Sequence, residues 1–210
     1  MYTGLVQEVG SVESVSRGDG FVKISVAASN NFLMGLKLGG SIAVNGVCLS
    51  ATQVSEDKFW ADITGVTSII TNLNAIQVND RVNLERSAVH GSEVGGHLIA
   101  GHIDGTANVT KIIQIGESVE LLIRVPDTLV NYIFAKGFLA INGASLTVAS
   151  VEQKLNTIKI NLIPETLRQT TFSSLRAGDQ VNIEVDATSR VLVDTLERIL
   201  APVITKYVQQ

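Results

Sequence analysis

Cys48 is the single cysteine of the 210-residue chain, and it follows an Asn45-Gly46 pair. A thiolate is a strong nucleophile, but a lone cysteine also serves as a small buried apolar residue, and both readings stand. Of three histidines, His90 lies in a polar loop and gains no role. His97 and His102 share the segment 95–105, GGHLIAGHIDG. Their spacing would point them about 140° apart on a helix and to opposite faces on a strand. It is not a zinc spacing, and no carboxylate or thiol completes a set, so no metal is expected. One of the two is a candidate acid–base group, since imidazole titrates near neutral pH; the other reading is a turn or core histidine. The glycines of this segment match neither a P-loop nor a dinucleotide fingerprint. Glu93 and Asp104 form no evident carboxylate pair, and no G-x-S-x-G is present.

The elements that must position these groups are written twice. Ala43–Ser50, AVNGVCLS, returns at Ala140–Thr147 as AINGASLT, an offset of 97 residues. Cys48 therefore corresponds to Ser145. The same offset aligns Gly4-Leu5-Val6 with Gly101-His102-Ile103, and Gly10–Val12 with Ala107–Val109. Later the offset becomes 99, pairing Asn79–Glu85 (NDRVNLE) with Gly178–Glu184 (GDQVNIE), Thr67 with Thr166, and Thr71 with Thr170. About two extra residues are expected near Glu152–Thr157.

Each copy reads as about six β-strands, from alternation of period two rich in β-branched residues. The strands are expected at 4–15, 21–26, 41–44, 48–54, 59–63 and 81–85, then at 102–113, 118–125, 138–141, 145–151, 157–163 and 180–185. Asn45-Gly46 and Asn142-Gly143 are hairpin signals of type I′, and Gly18-Asp19-Gly20 marks another turn. Short helices are expected near 30–36 and 127–134, with helical turns at 68–73 and 165–171. The fold class is all-β: two tandem, similar six-stranded Greek-key-type barrels with short helices, plus a C-terminal α-helix. The domains are expected at 1–96, 97–186 and 187–210.

In the tail, Leu192, Leu196, Ile199, Leu200, Val203 and Tyr207 share a helix face, with Asp194, Glu197, Arg198 and Lys206 largely elsewhere. Such a face packs on its own chain or, in the preferred reading, against copies of itself. Pro202 is expected to kink or shorten this helix. Sixteen basic and 20 acidic residues give a net charge of −4, so no nucleic-acid partner is expected. No apolar run spans a membrane and no signal peptide opens the chain, which leads to the expectation of a cytoplasmic protein.

The chain resembles the riboflavin synthases of the α-chain type from Met1 to about Leu200. The residues that carry the likeness are Met1–Val6, Asn45–Leu49, Gly95–Gly105, Asn142–Val148, Ile163–Leu167 and, in the tail, Val193–Arg198. The resemblance implies a cofactor-free dismutation of two 6,7-dimethyl-8-ribityllumazine molecules. One passes a four-carbon unit to the other, giving riboflavin and 5-amino-6-ribitylaminouracil. It implies homotrimers held by the C-terminal helices, an active site between barrels of different subunits, and lumazine synthase as a partner protein.

Residue by residue, the first substrate would be bound by Gly4, Leu5 and Val6, by Ser145, Leu146 and Thr147, and by Asn161, Leu162, Ile163, Pro164, Glu165 and Thr166. The second would be bound by Cys48, Leu49 and Ser50, by Asp62, Ile63, Thr64, Gly65, Val66 and Thr67, by Gly101, His102 and Ile103, and by Lys136. The resemblance gives Cys48, Ser41 and His102 catalytic roles. His102, with Thr147 or Ser145, would assist proton removal from the acidic C7 methyl. Cys48, Ser41 or a water would add to the acceptor, and Asp186 would lie near the site. Tyr2, Ser50, Asn142 and Ala100 depart from the Phe, Thr, Asp and Ser usual in the family. The alternative is a non-catalytic lumazine- or flavin-binding protein of the same fold.

Overall fold

The computed structural model describes residues 1–18 and 20–208, with side chains described as far as residue 200. The expectations for Asp19 and for the side chains of Pro202, Val203, Lys206 and Tyr207 lie outside the described residues. The first barrel comprises β1 (Glu8–Gly18), β2 (Phe21–Ala27), β3 (Ser41–Val44), β4 (Val47–Val54), β5 (Lys58–Thr64) and β6 (Arg81–Arg86). The second comprises β7 (Gly105–Ile115), β8 (Ser118–Arg124), β9 (Phe138–Ile141), β10 (Ala144–Glu152), β11 (Thr157–Leu162) and β12 (Gln180–Val185). Both close, all antiparallel, in the order β1-β2-β5-β4-β3-β6 and its equivalent β7-β8-β11-β10-β9-β12. Closure leaves neither sheet with an exposed edge.

The strands form because inward positions are apolar throughout. In β2 and β5, Ile24, Val26, Phe59, Ala61 and Ile63 are sealed from solvent, as are Leu121, Ile123, Ile158 and Ile160 in the second barrel. The barrels bend at β-bulges, which add local twist. These fall at Val12/Ser14 and Ala51/Gln53 in one copy and at Val109/Lys111 and Val148/Ser150 in the other, each pair 97 residues apart. The extra residues of the second copy form a 3-10 turn, Gln153–Leu155, closed by Asn156 in a left-handed conformation.

Two expected strands begin late. The alternation puts Gly4 and His102 in strands, but β1 starts at Glu8 and β7 at Gly105. Gly4 (φ 75°) and Gly101 (φ 81°) sit in the left-handed region, which breaks an extended strand. The short helices are α1 (Asn30–Leu33), α2 (Gly65–Ile70), α3 (Asp127–Val130) and α4 (Pro164–Gln169), α2 and α4 each followed by a 3-10 turn. The tail is α5, Ala187–Val208, and it runs on through Pro202, so the expected shortening does not occur.

The barrels meet about a pseudo-twofold axis. Both Asn-Gly pairs have positive φ at both positions, as type I′ requires: 46° and 80° for Asn45 and Gly46, 44° and 78° for Asn142 and Gly143. The two turns touch tip to tip. A Cβ on Gly46 would fall 2.6 Å from the Gly143 nitrogen, and one on Gly143 would fall 2.7 Å from the Gly46 nitrogen. Asn83 and Asn182 flank this contact in the middle of β6 and β12. The Asn83 amide donates to the Asn142 carbonyl (3.0 Å), and the Asn182 amide donates to the Asn45 carbonyl (2.8 Å). Their side-chain oxygens accept from the Thr171 and Asn72 backbone nitrogens in turn. A backbone bridge between Tyr2 and Ile99, also 97 apart, lies on the same pseudo-axis.

Candidate functional site

Each barrel carries one candidate site, bordered by the other repeat's leading segment. The Ser145 backbone nitrogen donates to the Gly4 carbonyl (2.8 Å), and the Cys48 nitrogen donates to the Gly101 carbonyl (2.9 Å). Val6, which precedes the first barrel, packs against the apolar core of the second. Ile103, which precedes the second, is part of the core of the first. The two leading segments are exchanged.

A buried carboxylate fixes each crossing. Glu85 accepts from the Thr3 nitrogen (2.7 Å), the Thr3 hydroxyl (2.8 Å) and the Gly4 nitrogen (3.1 Å). Glu184, its counterpart, accepts from the Ala100 nitrogen (2.7 Å) and the Gly101 nitrogen (3.0 Å). These bonds absorb the N–H groups that a strand would have used. Burial raises the carboxyl pKa of Glu85, and the N–H donors oppose that. Burial pushes Glu184 up to about 7 against the same kind of donors, with the Asp104 charge adding to the rise.

The sign of this shift can be measured. Glu184 titrates near 4.5 when unfolded and about 7 when folded. A carboxyl raised in this way favours folding while protonated; its contribution is complete below 4.5 and lost as pH rises through 7. Glu184→Gln should therefore flatten the fall in stability between those pH values, read from denaturant melts at a series of pH. Equal slopes in both proteins would contradict the assignment.

The C-terminal-barrel site is an open cleft of about 170 Å³ lined by Gly4, Leu5, Val6, Ala144, Ser145, Leu146, Glu165, Thr166, Gln169 and Thr170. It gathers, from β10, α4 and the crossing segment, seven of the residues expected around the first substrate. Ile163 and Pro164 lead into α4 at the rim, Asn161 and Leu162 end β11, and Thr147 points outward on β10. In the equivalent place on the first barrel stand Cys48, Leu49 and Ser50 on β4, Asp62, Ile63 and Thr64 ending β5, and Gly65, Val66 and Thr67 opening α2. Gly101 and Ile103 join them by the crossing, and His102 between them is exposed. Not all expected residues are side-chain groups of a cleft: Ile63 and Leu162 are fully buried in the cores. Lys136 is exposed with φ 67°, in the turn before β9 of the second barrel.

Two side-chain pairs went unforeseen. The Tyr2 hydroxyl, buried between the barrels, donates to Cys48 Sγ at 3.1 Å. Burial first, then Cys48 and the Glu85 charge, hold the Tyr2 phenol far above its ordinary pKa; Ser41 pulls the other way. The phenol is a permanent donor, and Tyr2, Cys48 and Ser41 form one cluster. In the other repeat, His97 Nδ1 is 2.6 Å from Ser145 Oγ. The His97 ring stacks on Phe138 with centroids 5.1 Å apart and planes 13° off parallel. Burial lowers the His97 pKa, and the Asp186 charge opposes that. Ser145 is thus joined to His97, and His102 belongs to the Cys48 side of the molecule.

A family model described as the lumazine binding domain matches residues 3–87 and again 100–186. The riboflavin synthase of Escherichia coli is 40% identical over 202 residues, covering 96% of this chain and 94% of the relative. The chain belongs to the riboflavin synthase family. That of Buchnera aphidicola is 38% identical over 95% of the chain and 96% of the relative, and that of Bacillus subtilis 33% over 94% and 91%. Among solved structures, LumP in complex with riboflavin superposes with a TM-score of 0.82 at 28% identity, over 89% of this chain and 100% of that one. LumP with 6,7-dimethyl-8-(1'-D-ribityl) lumazine gives 0.80 at 25%, over 89% and 99%.

Membership of this family accounts for the repeat: the two lumazine-binding units are the two barrels. It also marks what the sequence hid. The buried Asn83 and Asn182, and Glu85 and Glu184, stand in a repeated V-N-[LI]-E at the outward positions of an alternating strand, which read as solvent-facing until the barrels meet. The Tyr2–Cys48 and His97–Ser145 pairs depend on the exchange of segments, which no local pattern announces.

Proposed function

We propose that the protein is a riboflavin synthase. It converts two 6,7-dimethyl-8-ribityllumazine molecules into riboflavin and 5-amino-6-ribitylaminouracil by transfer of a four-carbon unit, without a cofactor. The observation that carries the reading is the pair of lumazine-binding units, matched at residues 3–87 and 100–186, in a chain 40% identical, over 96% of its length, to a riboflavin synthase. Residues 1–96 and 97–186 act as the two lumazine-binding units. Two like substrates need two like clefts, and holding them in register contributes roughly 7–11 kcal/mol to the rate. The donor lumazine occupies the cleft of Gly4–Val6, Ser145 and Thr166. The acceptor occupies the site of Cys48, Gly101, His102 and Thr67, where Cys48, Ser41 or a water adds to its ring.

The clefts that react together belong to different subunits of a homotrimer, with 187–210 as the oligomerisation segment. The outward faces of Val191, Leu192, Ile199 and Leu200 support this, since an apolar face left in water calls for a cover. The base of α5 is well placed to hold the helix out. Arg190 pairs with Asp104 and lies over the Tyr132 ring, whose hydroxyl donates to Asp194 (2.6 Å). Leu196→Asp should turn the sedimenting species from trimer to monomer and remove turnover, while lumazine still binds. A fully active monomer would overturn the intersubunit site.

The protein works in the cytoplasm, with lumazine synthase as a partner protein. No helix of the described residues is long and apolar enough to cross a membrane. The deciding assay is incubation of the pure protein with dimethylribityllumazine while riboflavin absorbance is followed. The LumP likeness favours one other reading, a lumazine carrier, and stoichiometric binding without turnover would establish it.

A further inference from the structure

Ser145, which lines the C-terminal-barrel cleft, is bonded to His97 behind it, and the functional reading leaves His97 idle. The contact is short, 2.6 Å from Nδ1 to Oγ. Each partner is held in place. The imidazole is stacked flat on Phe138 of β9 and is buried. The Ser145 hydroxyl is confined by the Gly96 backbone, where an added Cβ would come within 3.0 Å of Oγ and 2.3 Å of the Thr3 carbonyl. The backbone of Ser145 is itself pinned by its bond to the Gly4 carbonyl. The hydroxyl thus reaches the cleft on one side and a fixed ring nitrogen on the other.

We propose that His97 is a positioning residue for carbanion formation, accepting the Ser145 hydroxyl proton as Ser145 Oγ takes one from the 7-methyl group of the lumazine bound in this cleft. The proposal rests on the riboflavin synthase reading and adds to it a base and a relay. In the step, the methyl C–H bond breaks and its proton goes to Ser145 Oγ. The hydroxyl proton of Ser145 passes to His97 Nδ1. The electron pair stays on the lumazine, delocalised over its ring, and His97 becomes imidazolium. Charge is conserved, no oxidant, reductant or co-reactant enters, and reversal of the relay returns the proton later in the cycle.

The surroundings of the ring fit both halves of that cycle. Burial lowers the His97 pKa, so the ring is neutral and able to accept at neutral pH. Asp186, just beyond β12, is the charged group whose field acts on the ring, and it favours the imidazolium once formed. From β9 and β10 the neighbours are Phe138 and Ser145, neither charged. From the crossing segment the neighbour is Thr3, whose amide and hydroxyl are committed to Glu85.

The test uses the full-length protein and 6,7-dimethyl-8-ribityllumazine in D2O, with loss of the 7-methyl proton signal followed by NMR. Riboflavin formation and the lumazine Kd from fluorescence are read in parallel. His97→Gln and Ser145→Ala should each slow exchange and turnover by about 100-fold, the usual worth of a positioned acid–base group. The Kd should change by no more than a few-fold, and the double variant should be no slower than the slower single. Wild-type exchange should also lose rate with falling pH along a limb centred below 6.5, and His97→Gln should lack that limb. A wild-type limb centred at or above 6.5, additive losses in the double variant, or wild-type exchange in His97→Gln would overturn the proposal. Failure of the wild type to form riboflavin would instead sink the proposed function, and with it this step.

Discussion

Asn182→Ala should lower the stability of the whole chain by about 3–5 kcal/mol. Asn182 is fully buried at the seam between the barrels. Its amide donates to the Asn45 carbonyl and to Asn72 Oδ1 (2.9 Å), and its oxygen accepts from the Asn72 nitrogen (2.7 Å). Removal of the side chain strands the buried Asn45 carbonyl and the half-buried Asn72 N–H, at about 1–3 kcal/mol for each. The neighbouring polar side chains, Asn83 and Asn142, are already committed to other partners. For a chain of this size the loss corresponds to a fall in Tm of about 8–15 °C. Asn72→Thr is the informative partner, because Thr171 occupies the equivalent place in the other repeat. It keeps the backbone donor to Asn182 and loses only side-chain bonds, so it should cost about 1 kcal/mol. Calorimetry on both variants checks the pair. Equal losses would mean that the seam is held by something other than the Asn182 side chain.

Gly4→Ala should abolish turnover, by at least about 100-fold in kcat/KM, with the barrels still folded. The added Cβ would lie 2.5 Å from Ser145 Cβ and 2.8 Å from the Ser145 nitrogen. Both are far inside van der Waals contact, and the backbone there has φ 75°, which costs an L side chain about 1 kcal/mol before any overlap. Relief requires the crossing segment to lift from β10. That breaks the bond from the Ser145 nitrogen and opens the cleft. A displacement of about 1 Å at reacting groups costs around 100-fold in rate. Gly35→Ala separates overlap from backbone strain: its φ is 73°, with nothing within 4 Å of the added Cβ. It should share the strain and keep full activity. Steady-state kinetics and lumazine titration of both variants decide the matter, and near-normal activity in Gly4→Ala would refute the close-contact argument.

The barrels were legible because period-two alternation and doubled Asn-Gly turns are local signals that the fold does not override. Strands 41–44, 138–141 and 180–185 fall where the pattern puts them. The repeat offset also located the extra turn at 153–156. The starts of β1 and β7 misled, since Gly4–Gln7 and His102–Asp104 keep a strand-like pattern, while the N–H groups of Gly4 and Gly101 serve Glu85 and Glu184 and Val6 and Ile103 pack on the other barrel. The site was legible as a set of loops, from equivalent segments of the two copies. Its side-chain chemistry was less so. His97 lies in the segment that joins the two copies, outside the matched stretches of the repeat. Tyr2 meets Cys48 only through folding of the chain's first residues between the barrels.

The exchange of leading segments also bears on how such a chain can change over generations. Gly4, Leu5 and Val6 answer to the wall formed by Ala144–Leu146, and Gly101–Ile103 to Val47–Leu49, so the partners that must stay matched sit about 140 and 55 positions apart. A substitution in one leading segment is compensated in the other repeat, not in its own. The two copies are therefore not free to drift as separate modules. Covariation among relatives should connect them crosswise, with residues 4–6 tracking 144–146 more closely than 47–49.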